Sequence, residues 1–520
     1  MLSRFLKAAN ALLFGQIISR LGSFILIPIY LARWTPAVYG EWLAMFAAIG
    51  YLSTLDIGMQ VAAVNRLTQA YARRDLEEYR RVQRSALALY ILVALAGSIV
   101  LLSSALSLPL SRWIGLRITP PHTAATVILL LGTYLLWSMP GKVIVSTYQT
   151  MGNLARAQWI NNVQQIAMIA GTIALLAANH GMVAIAALQP LGLLGVLLYS
   201  YFDLRLRHPE IAPGIRGASF RTVRELLHPS LMFALIALSM LVYFQGQTLL
   251  VSIALGGVAV AVLSVSRTLV VLLRTIVDAM TDAACPDIAR LYALDESARL
   301  RQLLRILAGS TVAVVAAGAA AFWWEGASVI EVWTRGRLHP DPILLRLLLL
   351  LAIGQSVWLC AAVFSSATNH NRSLAFSYVA SNASGILCAV LLVPRYGVRG
   401  VPIALLIGEA AFCYHFVVRH TCRMISMPYA SFARKLWTFV IVVTGTTIAA
   451  AYPVHAGLKV FAPLRWGAVG IVAFVTASAI TWGFWLDAEH RHAVLERLRY
   501  LLRGRTDVAA RSLASEVEVP

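Results

Sequence analysis

Three arginines, Arg20, Arg267 and Arg274, stand inside stretches otherwise apolar enough to cross a lipid bilayer. A charge at bilayer depth costs about 2.5–3.5 kcal/mol on insertion scales, so each must face water, a partner or a ligand. The fixed fork of arginine makes paired hydrogen bonds to phosphate oxygens. A mid-membrane basic cavity built from these groups would suit an anion, phosphate or pyrophosphate. In GQIISRLGSFILIPIY, residues 15–30, Gln16, Arg20 and Ser23 follow one another at steps of four and three and share one helical face. Pro28 removes a backbone hydrogen bond from the same segment and is expected to bend it, a candidate hinge. In SVSRTLVVLLRTIVDAMTD, residues 264–282, Arg267 and Arg274 are seven apart, and Asp278 and Asp282 continue their face at steps of four.

Other polar groups interrupt apolar segments. Asp56 lies in STLDIGMQ, Glu409 in LIGEAAF, and YFQGQT carries Tyr243, Gln245 and Gln247 around Gly246, a loosening point and second candidate hinge. Each has a plainer reading. Arg274 and Asp278 suit an internal i,i+4 pair. Arg20 could pair with Asp56 or with backbone carbonyls, Glu409 could be a protonated packing residue, and the glutamines could be helix–helix contacts. Arg267 has no carboxylate within four residues on its own helix, so an external anion is easiest to argue there. Cys285, Cys360, Cys388, Cys413 and Cys422 show no paired spacing, so neither a metal site nor a disulfide framework is expected, and no cofactor is implied. His208, His228, His490 and His492 fall on solvated connections without a catalytic partner.

The elements that must position these groups are membrane helices. The chain of 520 residues is 59% hydrophobic and 13% charged, against about 25% charged for soluble domains. Apolar runs long enough to span a bilayer recur throughout. The start MLSRFLKAANALLF leads into a full span without the small-residue cleavage site of a signal peptide. The spacing predicts an all-α integral membrane protein of fourteen spans, near 10–32, 41–64, 85–108, 122–145, 159–178, 183–203, 230–255, 259–282, 306–324, 343–366, 374–393, 400–419, 435–453 and 465–486. An even number places both ends on one side. Most of the 43 Lys and Arg residues fall on that side, which the positive-inside rule makes cytoplasmic. The net charge of +20 therefore reflects topology and contact with anionic lipid headgroups, not nucleic acid.

An internal repeat organises the spans. QAYARRDLEEYRRVQR, 69–84, is echoed by RLYALDESARLRQLLR, 290–305, at an offset of 221. TMGN, 150–153, is echoed by TNHN, 368–371, and LLAANHG, 175–181, by LLVPRYG, 391–397, with the offset drifting only to 216. Six spans followed by six of the same orientation suggest two lobes about an axis along the membrane normal, with a cavity between them. The expected organisation is an N-lobe at 1–203, a cytoplasmic linker at 204–229, a C-lobe at 230–419, two peripheral helices at 435–486, and a basic cytoplasmic tail at 487–520.

The opening GQIISRLGSFILIPIYLARWTPAVYGEW, followed by LSTLDIGM and a basic connection, resembles the start of bacterial Wzx-type polysaccharide flippases of the multidrug/oligosaccharidyl-lipid/polysaccharide exporter superfamily. The matching elements are Gln16, Arg20, Pro28 with Tyr30, Tyr39-Gly40, and Asp56 with Gly58; TYQTMGNLARAQWINN and RYGVRGVPIA look like further family positions. The likeness covers spans one to twelve in outline, and its motifs are modest in specificity. It implies alternating access around a basic cavity and movement of an undecaprenyl-pyrophosphate-linked oligosaccharide from the cytoplasmic to the periplasmic leaflet of the bacterial inner membrane. Arg20, Arg267 and Arg274 would hold the pyrophosphate, with Gln16, Tyr243, Gln245 and Gln247 as polar cavity groups. The resemblance also implies ion coupling, with Asp56, Asp278 and Glu409 as candidate sites for H+ or Na+, and leaves room for a partner polysaccharide polymerase. Fourteen spans also fit the peptidoglycan-precursor branch, which is richer in cavity arginines near the start.

Two other functions suit parts of the pattern. A cation-drug antiporter on the same scaffold needs an acidic cavity, whereas this one reads as basic. A membrane glycosyltransferase, polymerase or ligase of the same pathway needs a sizeable external loop, and the outward connections are short, the longest lying around EGASVIEVWTRGRLHPDP. No enzyme activity is expected.

Overall fold

The computed structural model describes residues 2–56, 59–368, 370–458 and 461–485. Gly58 and the tail expected at 487–520, with His490 and His492, lie outside the described residues. Every regular element among the described residues is helical. In chain order the α-helices are α1 (Leu2–Arg33), α2 (Pro36–Gly50), α3 (Met59–Ala72), α4 (Leu76–Ser107), α5 (Leu110–Ile114), α6 (Pro121–Thr150), α7 (Leu154–Ala177), α8 (Met182–Arg207) and α9 (Phe220–Leu241). They continue with α10 (Gln247–Leu255), α11 (Gly257–Ala293), α12 (Ser297–Trp333), α13 (Pro342–Ala367), α14 (Asn371–Tyr396), α15 (Gly400–Phe412), α16 (Phe416–Met424), α17 (Tyr429–Gly457) and α18 (Ala462–Ile480).

Twelve helical segments among the described residues are long and apolar enough to cross a membrane. Two local features separate this number from fourteen. The stretch 41–64 is not one helix: α2 gives way to a 3-10 turn at Tyr51–Asp56 before α3 begins. The spans at 374–393 and 400–419 run together as one segment, Arg372–Met424, joined through the short turn Gly397–Arg399. Pro28 lies inside α1, which continues as helix on both sides of it.

The ends of the helices follow ordinary capping chemistry. Thr35 Oγ1 accepts from Val38 N at 3.3 Å with Pro36 at the first helical position, and Asp75 accepts from Glu78 N at 2.8 Å. Gly256, at φ +87, is the single residue between α10 and α11, a conformation that L side chains rarely adopt. That reversal places Gly257 against α2, where a Cβ on Gly40 would meet the Gly257 carbonyl oxygen at 1.7 Å.

The chain divides into two compact units. One comprises Met1–Val270, Ala327–Leu351 and Arg372–His415. Within it α1 packs along α7, and α4 and α8 pack on α6. Buried Asn162 of α7 donates to the Ala11 carbonyl of α1 at 2.9 Å, and a Cβ at Gly15 would collide with Asn162 Oδ1 at 2.4 Å. Met59, Leu67, Tyr79, Val82 and Tyr90 form a buried core around α3 and α4. Beyond the spans, Arg66 bridges Glu78 and Glu225, each at 2.9 Å, and its guanidinium holds the Glu225 carboxyl below its ordinary value.

The other unit comprises Val271–Gly326, Ala352–Asn371 and Phe416–Pro520. There Glu325 of α12, 2% exposed, accepts from Arg465 of α18 through Nε and Nη2, both at 2.9 Å, and lies 2.6 Å from His455 Nδ1 of α17. The pair of C-terminal helices is thereby tied to α12 by a bidentate ion pair, the geometry that best offsets desolvation.

Two substitutions test this packing. Gly40→Ala is expected to lose folded protein or lower the melting midpoint, because a rigid backbone carbonyl occupies the methyl position. The cost should reach or exceed the ~3 kcal/mol upper range of overpacking. Gly445→Ala in α17, with open space at its Cβ, should leave the midpoint unchanged. Equal midpoints for both in a detergent thermostability assay would contradict the close α2–α11 approach.

Candidate functional site

The first unit encloses a cavity of about 1010 Å³ lined by residues of α1, α2, α3, α6, α7, α8 and the start of α11. Among the described residues its two charged residues are Lys142 of α6 and Arg267 of α11, and no Asp or Glu lines it. The remaining polar lining is dominated by amides: Gln60, Gln149, Gln158, Asn161, Gln164, Gln165 and Gln189. Tyr30, Tyr39, Trp42, Phe46 and Tyr134 supply aromatic surface.

Arg267 is seated by an irregularity in the preceding hairpin. Val242–Gly246, VYFQG, forms a turn of π-helix between α9 and α10. A π-turn shifts the backbone hydrogen-bond register and changes which carbonyls are available. Arg267 Nη1 donates to the Phe244 carbonyl at 3.2 Å, Nη2 reaches Thr248 Oγ1 at 3.5 Å, and the guanidinium carbon stands 6.0 Å from the Phe244 ring centroid. All these partners are neutral, and among the described residues Arg267 has no carboxylate partner. Its positive charge is held in place and not neutralised.

The acidic groups of this unit are engaged elsewhere. Glu41 of α2, 1% exposed, accepts from Arg117 N at 2.6 Å, Ile118 N at 2.8 Å, Thr119 N at 2.7 Å and Thr119 Oγ1 at 2.5 Å. It thus fixes the connection leading into α6. Asp203 of α8 accepts from Tyr148 Oη and Arg156 Nη2, each at 2.6 Å, and pairs with Arg207 at 3.0 Å. Asp56, at the end of the 3-10 turn, accepts a very short hydrogen bond on Oδ1 from Tyr90 Oη. Glu409 of α15 is 3% exposed, and at neighbouring Gly408 a Cβ would meet the Ser381 carbonyl at 2.5 Å, which marks a close α14–α15 approach.

The residues singled out in the sequence therefore have distinct places. Arg267 lines the cavity. Ser23 of the Gln16–Arg20–Ser23 face also lines it; Gln16 and Arg20 are exposed on α1 and are not among the lining residues. The unit boundary after Val270 divides α11, so Arg274 and Asp278 belong to the second unit, where Arg274 Nε is 3.7 Å from Asp278 Oδ2. Tyr243 packs edge to face on Phe244 with centroids 4.9 Å apart, Gln245 lies against Gly50, and Gln247 is buried in α10. Gly246 ends the π-turn, where a Cβ would meet Ile386 Cδ1 and Tyr51 Oη, each at 3.2 Å.

Sequence reasoning missed Lys142, Glu41 and the amides of α7. The signal for the amides was present: Gln158, Asn161 and Gln165 are three and four residues apart, the spacing of one helical face. Glu41 carried no such signal, since its donors lie about 76 residues away in sequence.

No family model and no curated protein matches the sequence. Solved structures do. An inward-facing multidrug resistance MATE family transporter of the MOP superfamily matches with a TM-score of 0.67 at 16% identity, covering 81% of this chain and 99% of that one. The lipid II flippase MurJ in an inward closed conformation matches with a TM-score of 0.68 at 13% identity, covering 91% and 99%. A MOP superfamily transporter from Pyrococcus furiosus, described as having a binding pocket of reverse polarity that suggests a different function, matches with a TM-score of 0.56 at 16% identity, covering 81% and 95%. The chain thus has the all-helical membrane fold of transporters and flippases of the MOP superfamily.

Proposed function

We propose that the protein is a flippase for an anionic lipid-linked oligosaccharide, moving an undecaprenyl-pyrophosphate-linked repeat unit across the bacterial inner membrane. The observation that carries this reading is the polarity of the cavity: among the described residues it is lined by two cationic side chains, Lys142 and Arg267, and by no carboxylate. A di-anionic headgroup entering such a site replaces its water shell with fixed charge-assisted donors. A cationic drug meets two fixed positive charges there and no counter-charge, which disfavours the antiporter reading on the same fold.

In this account Arg267 is the primary phosphate group, oriented before the ligand arrives by Phe244 and Thr248. Lys142 supplies a second charge. Arg20 of α1 and Arg274 of α11, which are not among the cavity-lining residues, are further candidate groups for the pyrophosphate. Transport proceeds by alternating access of the six-helix halves 1–203 and 230–419, with Pro28 and Gly246 as hinges. The basic connections and both ends face the cytoplasm. Asp56, Asp278 and Glu409 are the candidate coupling carboxyls for H+ or Na+; Asp56 would exchange its Tyr90 partner for the ion.

Arg267→Ala should reduce surface-polysaccharide production in a deletion strain by about 10–100-fold, the loss of one or two charge-assisted hydrogen bonds, while the protein stays in the membrane at normal abundance. Lys142→Ala should cost less, and Arg267→Lys should retain part of the function. Full complementation by the Arg267→Ala, Lys142→Ala double variant at wild-type abundance would refute the anion-site assignment. A second prediction separates scaffold from site: Glu41→Gln replaces one of the two acceptor oxygens by an NH2 donor facing backbone N–H groups and should destabilise the protein by about 2–3 kcal/mol. The fraction that folds should transport normally per molecule.

A further inference from the structure

The cavity surface not occupied by charge is chemically divided, and the division is informative. On α7, Gln158, Asn161, Gln164 and Gln165 all face the cavity. They span eight residues, whose seven helical steps rise roughly 10 Å. Their neighbour Asn162 shows what a structural amide does here: it is buried and donates to Ala11. The four cavity amides make no side-chain hydrogen bond among the described residues, so their donors and acceptors are turned to whatever fills the space. On α2, half-buried Phe46 lines the cavity, and Trp42, 3% exposed, lies behind it. The two rings meet edge to face at 5.0 Å, and Trp42 packs in turn on Trp34 at 5.7 Å and Tyr30 at 6.4 Å.

A ladder of primary amides together with a fixed aromatic wall matches one ligand chemistry well. Each sugar hydroxyl is both donor and acceptor, as each carboxamide is. The apolar face of a pyranose ring packs on an aromatic ring, which offers large contact area at little entropic cost. Resting on the proposal that this cavity is the transport site, we propose that the α7 amides and the Trp42–Phe46 wall form a saccharide subsite. It accepts neutral or acidic sugars of the cargo, at least a disaccharide long, and disfavours sugars with free amines. Arg267 and Lys142 then anchor the phosphate while the amide ladder reads the glycan.

The test uses the full chain in lipid nanodiscs. Saturation-transfer NMR is recorded with N,N′-diacetylchitobiose (neutral), digalacturonate (acidic) and chitobiose (cationic), and calorimetry with inorganic pyrophosphate. The neutral and acidic disaccharides should bind and the cationic one should not. Phe46→Ala, or Gln164→Leu with Gln165→Leu, should weaken sugar binding about tenfold and leave pyrophosphate binding within twofold. Gln164→Glu with Gln165→Glu should bring binding of chitobiose, a gain that misfolding cannot produce. Failure of wild-type protein to bind any uncharged disaccharide, with pyrophosphate still bound, would overturn the saccharide subsite and spare the anion site. Loss of both would overturn the anion site as well. Sugar binding unchanged in the Phe46 and Gln164/Gln165 variants would place it elsewhere and end the assignment.

Discussion

The guanidinium of Arg267 stays charged in an apolar segment with only neutral partners, the Phe244 carbonyl, the Thr248 hydroxyl and the face of the Phe244 ring. Desolvating a cation is costly, and a carboxylate partner would relieve that cost while cancelling the field. The protein instead orients the charge with dipoles and leaves its potential directed at the cavity. The Phe244 carbonyl lies in the irregular turn at Val242–Gly246 and accepts from both Arg267 Nη1 and Thr248 Oγ1. Strain or irregularity beside a site is where function is expected to sit, and here the irregular turn and the charged group are in direct contact.

The same constraint explains where the acids went. Glu41 and Asp203 are each satisfied by several donors, and Asp56 accepts from Tyr90, so that each ties one helix or connection to another. A buried carboxylate satisfied by several donors is a rigid joint, whereas an unsatisfied one facing the cavity would attract cations and repel phosphate. Tight backbone contacts do the rest. Gly40 against Gly257, and Gly15 against Asn162, hold α2 to α11 and α1 to α7 closely enough to define walls for a large cavity. Polarity and shape are thus set by different residues, and only the polarity is chemically specific.

Much of this was legible in the sequence, for identifiable reasons. Apolar runs near twenty residues announce membrane helices directly, and Gly246 and the glutamines around it marked the place where helix geometry changes. Arg267 stood out because no carboxylate lies within four residues of it. The limits are equally physical. Span two reads as one apolar run because hydropathy does not register a 3-10 turn such as Tyr51–Asp56. Lys142 sits near the expected end of its span, where a lysine raises no alarm. Glu41 takes its meaning from backbone N–H groups in a distant connection, and no local pattern encodes that. Arg274 illustrates the converse: its i,i+4 relation to Asp278 was plain, and the two lie 3.7 Å apart.

The account rests on the sign of the cavity. The most direct measurement reconstitutes the purified protein in liposomes carrying a fluorescent undecaprenyl-pyrophosphate-linked disaccharide and follows its leaflet exposure, with ethidium uptake recorded in the same vesicles. Transfer of the lipid-linked sugar that collapses in Arg267→Ala, with no ethidium movement, is the predicted result. Ethidium transport by the wild-type protein, together with lipid-linked sugar movement indifferent to Arg267, would contradict it.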